Sequence, residues 1–195
     1  MSSDTQLLEQ FVECFDEFDD DGVVPRHTDL SLLAPFYAKL PARFPSLFEQ
    51  LLTNYRWPEV HLRRLRLLPN PSGPGFDAFV RGLFQDQGLV DVLLAHGFIQ
   101  FGRAVDGAIY DPICFDSRRR RRGGDCPVVR LNHESALLNC RIKLVTELAP
   151  TFRDLVKGTI EDAQFRGSGS GVARGNALSR QIQYPAKTSP WIDRI

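Results

Sequence analysis

The chain has 195 residues, and 43% of them are hydrophobic, which is enough for one domain with a buried core. Its 24 lysines and arginines balance its 24 aspartates and glutamates, so no net field of one sign favours nucleic acid or an anionic membrane as a partner. The sequence contains neither a run of about 18 apolar residues nor the basic start and apolar core of a signal peptide. We therefore expect a cytoplasmic protein with no membrane segment.

The first half of the chain shows helical periodicity and one predicted strand. Residues 5–18 repeat apolar side chains at helical spacing, which predicts an amphipathic helix. The same spacing predicts a helix over residues 45–55, which has a proline at its start. Residues 76–94 are predicted to form two helices or one interrupted helix. Residues 60–68 are predicted to be an extended strand that enters a turn rich in proline and glycine.

The second half of the chain predicts a β-hairpin. Residues 109–116 and 126–132 are rich in apolar and β-branched side chains, and the charged stretch SRRRRRGGD separates them. A strand over residues 98–102 precedes the hairpin. Pro112 and Pro127 lack amide donors, so we expect each of them at an edge or a bulge of the sheet.

The last part of the chain changes from periodic to aperiodic. Residues 141–144 are predicted to be a final strand or turn, and residues 151–165 a final helix with one apolar face. From residue 167 the sequence becomes rich in glycine and serine and loses periodicity. We therefore predict one domain over residues 1–166 and a flexible tail over residues 167–195.

Five consecutive arginines form the most conspicuous charge cluster. Guanidinium groups match carboxylates and phosphates, so the run is a candidate contact for an acidic protein or, as an alternative, for nucleic acid or another phosphate. The run is also explained as a loop tip that is made soluble by its charge, which in addition discourages unwanted strand pairing. No aromatic residue interleaves the arginines, which makes base stacking and hence nucleic acid the less favoured partner. The candidate residues are Arg118, Arg119, Arg120, Arg121 and Arg122.

Aspartates form a second set of candidate contacts, because acidic side chains would complement a basic partner. Three of them precede Gly22 as in a calcium loop, but Thr28 stands where such a loop requires a bidentate glutamate. The two aspartates of the first hairpin strand are predicted to face opposite sides of the sheet, so they do not form a catalytic pair. The candidate residues are Asp19, Asp20, Asp21, Asp111 and Asp116.

Residues with catalytic potential are sparse. The four histidines and four cysteines show no metal-ligand spacing, and the sequence contains no nucleophile elbow and no phosphate loop. The pair His133–Glu134, with a neighbouring aspartate, is a candidate for acid–base hydrolysis, although such a pair more often caps a turn or helix. We therefore expect neither a catalytic centre nor a metal or cofactor site.

Three stretches resemble the SUKH superfamily, which includes the yeast cell-wall-assembly regulator and many bacterial immunity proteins. The segment LPARFPSLFEQLLTNYRW is similar to the helix entry of the family. The segment HGFIQFGRAVDGAIYDPICFD is similar to its strand–turn–strand unit, which leads to an aspartate. The segment GGDCPVVRLNHESAL is similar to its returning strand and the helix that follows.

The resemblance implies an α+β fold in which helices flank a curved, mostly antiparallel sheet. It implies no enzymatic activity and no cofactor. It implies a protein partner, which is either a secreted or contact-delivered toxin that the chain neutralises or a target that it regulates. The five candidate aspartates would suit a basic toxin, and the five arginines would suit an acidic partner. The sequence leaves these two alternatives open.

Overall fold

The computed structural model describes residues 4–17, 22–62 and 65–168, and these residues form an α+β fold. The helices of this part of the chain are α1 (Asp4–Val12), α2 (Ala34–Tyr37), α3 (Ser46–Asn54), α4 (Asp77–Leu83), α5 (Gln87–Ala95), α6 (His133–Asn139) and α7 (Phe152–Ser168). The strands are β1 (Asp16–Glu17), β2 (Val24–Pro25), β3 (Tyr55–Arg56), β4 (Val60–Leu62), β5 (Leu65–Leu67), β6 (Phe98–Ala104), β7 (Pro112–Asp116), β8 (Val128–Leu131) and β9 (Leu144–Ala149). The predicted fold class is confirmed, and no helix among the described residues is long and apolar enough to span a membrane.

Seven of the strands form one antiparallel sheet in the order β1–β4–β5–β6–β7–β8–β9, while β2 and β3 pair separately. From β4 to β9 each strand pairs with the next one along the chain. The helices α4 and α5 interrupt this meander between β5 and β6, and α6 interrupts it between β8 and β9. Register shifts in the β6–β7 and β8–β9 pairs mark bulges, which bend and twist the strands that carry them.

Helices cover the two sides of the sheet with apolar cores of different size. The larger core lies against α1, α3, α4 and α7, and the smaller core lies against α5 and α6. Alternate residues of β7 enter different cores, as the two-residue period of a strand requires. Ile113 and Phe115 point into the larger core, and Cys114 points into the smaller one. The site described below lies on the side of the smaller core.

Most of the predicted elements are confirmed. The helix predicted over residues 45–55 is α3, and the pair predicted over residues 76–94 is α4 and α5. The final helix is α7, and its predicted apolar face lies in or against the larger core. The predicted hairpin is β7 paired with β8. The helix α7 continues to Ser168, and the tail that follows lies outside the described residues.

The first helix is shorter than predicted. We expected it to extend over residues 5–18, but α1 ends at Val12. The ring of Phe15 turns inward and meets the buried ring of Trp57 edge-on at 6.3 Å. The next two residues then pair with β4. Burial of one aromatic ring and the pairing of the sheet edge thus outweigh the helical preference of this segment.

Two strand predictions were wrong in their extent. The single strand predicted over residues 60–68 is a hairpin of β4 and β5, in which Leu62 lies opposite Leu65. The last strand is β9, which starts at Leu144 instead of ending there. Its first four residues are exposed, so no alternation of apolar and polar side chains marks it in the sequence.

Pro112 does not lie on an edge strand, because β7 is flanked by β6 and β8. It is instead the first residue of β7, beyond the last β7–β8 pair at Ile113. A missing amide is tolerated at a strand start because no ladder partner needs it there. Pro127 precedes β8, and its carbonyl accepts a hydrogen bond from the Asp116 amide at 2.9 Å.

Candidate functional site

The carboxylate of Asp116 organises the base of the arginine run. This side chain is 3% exposed. Its Oδ1 accepts a hydrogen bond from Arg118 Nε at 2.8 Å, and its Oδ2 accepts bonds from Arg118 Nη2 and Arg119 Nε, each at 3.0 Å. Burial alone raises the pKa of Asp116, but the hydrogen bonds from the two arginines outweigh it and hold the pKa below its ordinary value. Asp116 is therefore an ionised internal anchor.

Arg118 is fixed by its neighbours on several sides. Its guanidinium lies over the ring of Phe98, 4.2 Å from the centroid, which is a cation–π distance. Its stem crosses Gly97 so closely that a Cβ there would lie 2.6 Å from Arg118 Cγ. The amide and hydroxyl of Ser117 both donate to the Gly97 carbonyl, at 3.0 and 2.7 Å. These contacts hold the arginine run against the start of β6.

The next two arginines clamp the hairpin tip onto the rest of the protein. Arg119 Nη2 donates to Glu147 Oε2 of β9 at 2.7 Å. Arg120 donates to the carbonyls of Arg43 and Phe44, at 2.7 and 3.2 Å. The tip is thereby tied both to the last strand and to the segment that precedes α3.

The end of the run has the fewest internal contacts. The side chains of Arg121 and Arg122 are exposed, and they form no hydrogen bond or ion pair with the residues that the structure describes. Nucleic-acid affinity grows with the number of phosphates that a protein neutralises. Two unengaged arginines in a chain of zero net charge therefore give weak support to the nucleic-acid alternative.

A cleft of about 560 Å³ opens beside Asp116, between the start of β6, the end of α6 and the start of β9. The basic side chains around it include Arg141, which is exposed and whose side chain has no partner among the described residues. We call this feature the arginine cleft. The lining residues used below are Phe98, Asp116, Arg118, Arg119, Arg141 and Leu144.

Large apolar side chains are exposed on α6 and β9, the two elements whose ends border this cleft. Leu137 and Leu138 of α6 are 42% and 79% exposed, and Leu144 and Val145 of β9 are 55% and 47% exposed. We call these four residues the α6–β9 surface. Leu144 also lines the arginine cleft, so the α6–β9 surface meets the basic cleft at this residue.

A second buried carboxylate, that of Asp111, holds the start of α6. Its Oδ1 accepts a hydrogen bond from the His133 amide at 3.1 Å and lies 3.2 Å from His133 Nδ1, while its Oδ2 accepts a bond from Arg130 Nε at 2.9 Å. Burial alone raises the pKa of Asp111, but the bonds from His133 and then from Arg130 lower it below its ordinary value. The Asn132 side chain completes the cap by accepting a bond from the Ser135 amide at 2.8 Å.

Of the residues predicted for acid–base hydrolysis, only His133 and one aspartate lie together in the structure. His133 and Asp111 are within hydrogen-bond distance, which is one contact that acid–base chemistry needs. Glu134 is exposed and has no bonded partner among the described residues. The contacts of His133 and Asp111 instead join α6 to the loop before β7, which fits the capping alternative. In the described part of the chain no three metal-ligating side chains cluster.

The candidate acidic contacts have different positions. Asp19, Asp20 and Asp21 lie outside the described residues. Asp111 and Asp116 belong to separate hydrogen-bonded clusters, which agrees with the prediction that they do not form a pair. Both carboxylates are buried and accept hydrogen bonds within the protein, so they act as internal anchors, and their contact with a partner stays a prediction.

The α6–β9 surface and Arg141 were not predicted from the sequence. One signal was present, since two adjacent leucines end a short helix whose only buried residue is Ala136. A helix with so little to bury has no internal use for both leucines. Arg141 gave no signal, because its position beside the arginine run depends on the pairing of β8 with β9.

Comparisons with protein-family models, with curated proteins and with solved structures find no match to this chain. The resemblance of three sequence stretches to the SUKH superfamily therefore stays a prediction.

Proposed function

We propose that this chain is a protein-interaction domain without enzymatic activity, whose partner packs against the α6–β9 surface. The observation that carries the proposal is the exposure of Leu137, Leu138, Leu144 and Val145 on consecutive elements. Proteins rarely leave several large apolar side chains together in water unless another molecule covers them. Burial of such side chains in an interface is the main source of binding free energy.

The partner binds side chains and does not extend the sheet. The strand β9 is an edge of the described sheet, and an exposed edge invites strand pairing. However, register shifts interrupt its pairing with β8 at two points. Bulges of this kind twist an edge and spoil the even spacing of amides that an added strand needs. Recognition through the side chains of α6 and β9 is the remaining mode.

The chemistry of the described residues supports a non-enzymatic role. Burial raises the pKa of Cys114 well above its ordinary value and that of Cys126 to about 12, so neither thiol is a nucleophile at neutral pH. The contact between Asp111 and His133 is part of the attachment of α6. These groups have structural uses, and binding is the function that the exposed surface serves.

The biological role that we propose is neutralisation of a toxin, with a regulatory adaptor as the related possibility. The resemblance to the SUKH superfamily supports both, since its members are expected to act by protein contact. All four cysteines, each within the described residues, are free thiols. Free thiols fit a protein that works in a reducing compartment, and we place its action in the cytoplasm.

The proposal is tested by comparing the full-length chain with Leu138→Asp and Leu32→Asp. Leu32 is also exposed but lies far along the chain, in the 3₁₀ turn Leu30–Leu33, and serves as the matched control. The wild-type chain and the two variants are tagged and used to capture a partner protein from the native host. The captured partner is then purified, and its affinity for each of the three chains is measured by calorimetry. We expect Leu138→Asp to weaken its affinity about 30-fold, as loss of an interface hot spot does, and Leu32→Asp to leave it unchanged. Equal affinity of all three chains for the purified partner overturns the proposal.

A further inference from the structure

We propose that the arginine cleft receives an acidic side chain of the protein partner, so that the partner presents a carboxylate beside the apolar group that covers the α6–β9 surface. This inference rests on the proposed function and adds the chemistry of the partner. It selects the acidic-partner alternative from the two that the sequence left open.

The charge around the cleft is positive after the internal ion pairs are counted. Arg118 and Arg119 are balanced by Asp116 and Glu147. Arg141 adds a cation whose side chain has no partner in the described part of the chain. A carboxylate that enters the cleft therefore meets an uncompensated positive potential.

The guanidinium groups retain free donors for such a carboxylate. A guanidinium carries five N–H donors. Arg118 spends two of its nitrogens on Asp116, and Arg119 spends one on Asp116 and one on Glu147. The remaining N–H groups of both side chains, together with all those of Arg141, can donate to an entering oxygen. Their geometry suits a carboxylate better than single ammonium groups would.

The cleft is organised before any partner arrives. Asp116 holds Arg118 with two parallel hydrogen bonds, and the ring of Phe98 supports the same guanidinium from below. A long flexible side chain normally loses conformational entropy when it is fixed in an interface. That loss has already occurred in Arg118 when the protein folds. Preorganisation of this kind favours affinity at a single defined position.

The apolar residue beside the cleft indicates that the partner presents an apolar group next to its carboxylate. Leu144 belongs both to the cleft and to the α6–β9 surface, so an acidic side chain in the cleft lies next to an apolar contact. Nucleic acid fits this arrangement less well. Phe98 is buried beneath Arg118 and therefore offers no face on which a base could stack.

A titration with synthetic peptides tests the inference. The first probe is a peptide of about twelve residues in which aspartate alternates with leucine, and the second replaces each aspartate with asparagine. Inorganic phosphate and single-stranded DNA are the third and fourth probes. Binding to the full-length chain is followed by NMR, using the side-chain Nε–H signals of Arg118 and Arg119 and the backbone amides of Arg141 and Leu144.

The matched variants are Arg141→Glu and Arg81→Glu. Arg81 lies on α4, is exposed, and its side chain has no bonded partner in the described residues, but it is on the side of the larger core. We expect the aspartate peptide to shift the cleft signals at about 1 mM, and Arg141→Glu to weaken this binding about tenfold, because it removes an attraction and adds a repulsion. Arg81→Glu leaves the binding unchanged.

Several results overturn the inference. These are equal binding of the asparagine peptide, an equal effect of Arg81→Glu, and no shift of the cleft signals at the highest peptide concentration. If DNA binds more strongly than the aspartate peptide, the cleft is assigned to a nucleic acid instead. If phosphate displaces the peptide and produces the same NMR shifts, the cleft is assigned to a small anion. Failure of this inference is distinct from failure of the proposed function. If Leu138→Asp abolishes binding of the purified partner and Arg141→Glu does not, the interaction surface stands without its acidic anchor.

Discussion

The two sides of the sheet are built differently. On the side of the larger core, aromatic rings surround Phe48, and the rings of Phe44, Phe101, Phe115 and Phe152 all lie between 5.1 and 5.3 Å from it. On the other side, the smaller core is mainly aliphatic and is covered by α5 and the short α6. The first side holds most of the buried apolar residues of the two cores, and the second carries the candidate site.

Polar contacts on the side of the smaller core explain how the candidate site is held in place where few apolar side chains are buried. The helix α6 buries only Ala136, so apolar burial cannot fix its position. Polar contacts from Asp111 and Asn132 fix its first turn instead. On the same side, Asp116 fixes the arginine run. The apolar side chains of the α6–β9 surface are therefore exposed, while the aromatic residues of the larger core stabilise the fold.

The largest expected effect comes from opening the aromatic core. Phe152 is fully buried and contacts Phe11, Phe48 and Phe115, so Phe152→Ala removes a large apolar group and leaves a cavity. We expect the free energy of unfolding to fall by about 4 kcal/mol. Leu93→Ala, in the smaller core, is the matched variant and lowers it by about 2 kcal/mol. Urea denaturation measures both, and a larger loss for Leu93→Ala contradicts the proposed division of stability.

The sequence predicted the larger core better than the site, for a physical reason. Helices such as α3 and α7 bury one continuous face, and this burial leaves a repeating apolar pattern that can be read from the sequence. The strand β9 buries little at its start, so its position left no such pattern. Its placement depends on pairing with β8, which is a long-range interaction.

The arginine run shows the same limit at the level of single residues. Its charge was evident from the sequence, but the division into clamped and free arginines was not. That division depends on partners distant in the chain, since Arg120 reaches the carbonyl of Arg43 and Arg119 reaches Glu147. The local sequence gives the type of side chain, whereas the fold determines whether that side chain forms hydrogen bonds within the protein.

The second-largest expected effect on stability comes from the polar contacts that hold α6 on the side of the smaller core. Asp111→Asn removes the charge that receives Arg130 and the His133 amide, and we expect the free energy of unfolding to fall by about 2 kcal/mol at neutral pH. The folded-state pKa of Asp111 is lowered, so its stabilising contribution is complete above the unfolded pKa of about 4 and is lost as the pH falls through the lower folded value. The difference between the wild-type and variant chains must therefore shrink in acid.

Urea denaturation from neutral pH down to the acid range measures this difference. Asp91→Asn is the control, because Asp91 is exposed on α5 and its side chain bonds only to Gln87 among the described residues. It should change the free energy of unfolding little at any pH. A difference between wild type and Asp111→Asn that stays constant or grows in acid contradicts the assignment of Asp111 as an ionised anchor.

The smallest expected effect comes from Gly97, where backbone and arginine cleft meet. Gly97 has a φ of +75°, which is unfavourable for other residues, and its added Cβ would collide with Arg118. We expect Gly97→Ala to lower the free energy of unfolding by about 1 kcal/mol and to move the Arg118 Nε–H signal, because the arginine must leave its place over Phe98. Gly82→Ala is the matched control, since Gly82 lies inside α4 with open space around it, and alanine there stabilises the helix slightly. If Gly97→Ala leaves both the Arg118 signal and the binding of the aspartate peptide unchanged, the close fit between this glycine and the arginine does not organise the cleft.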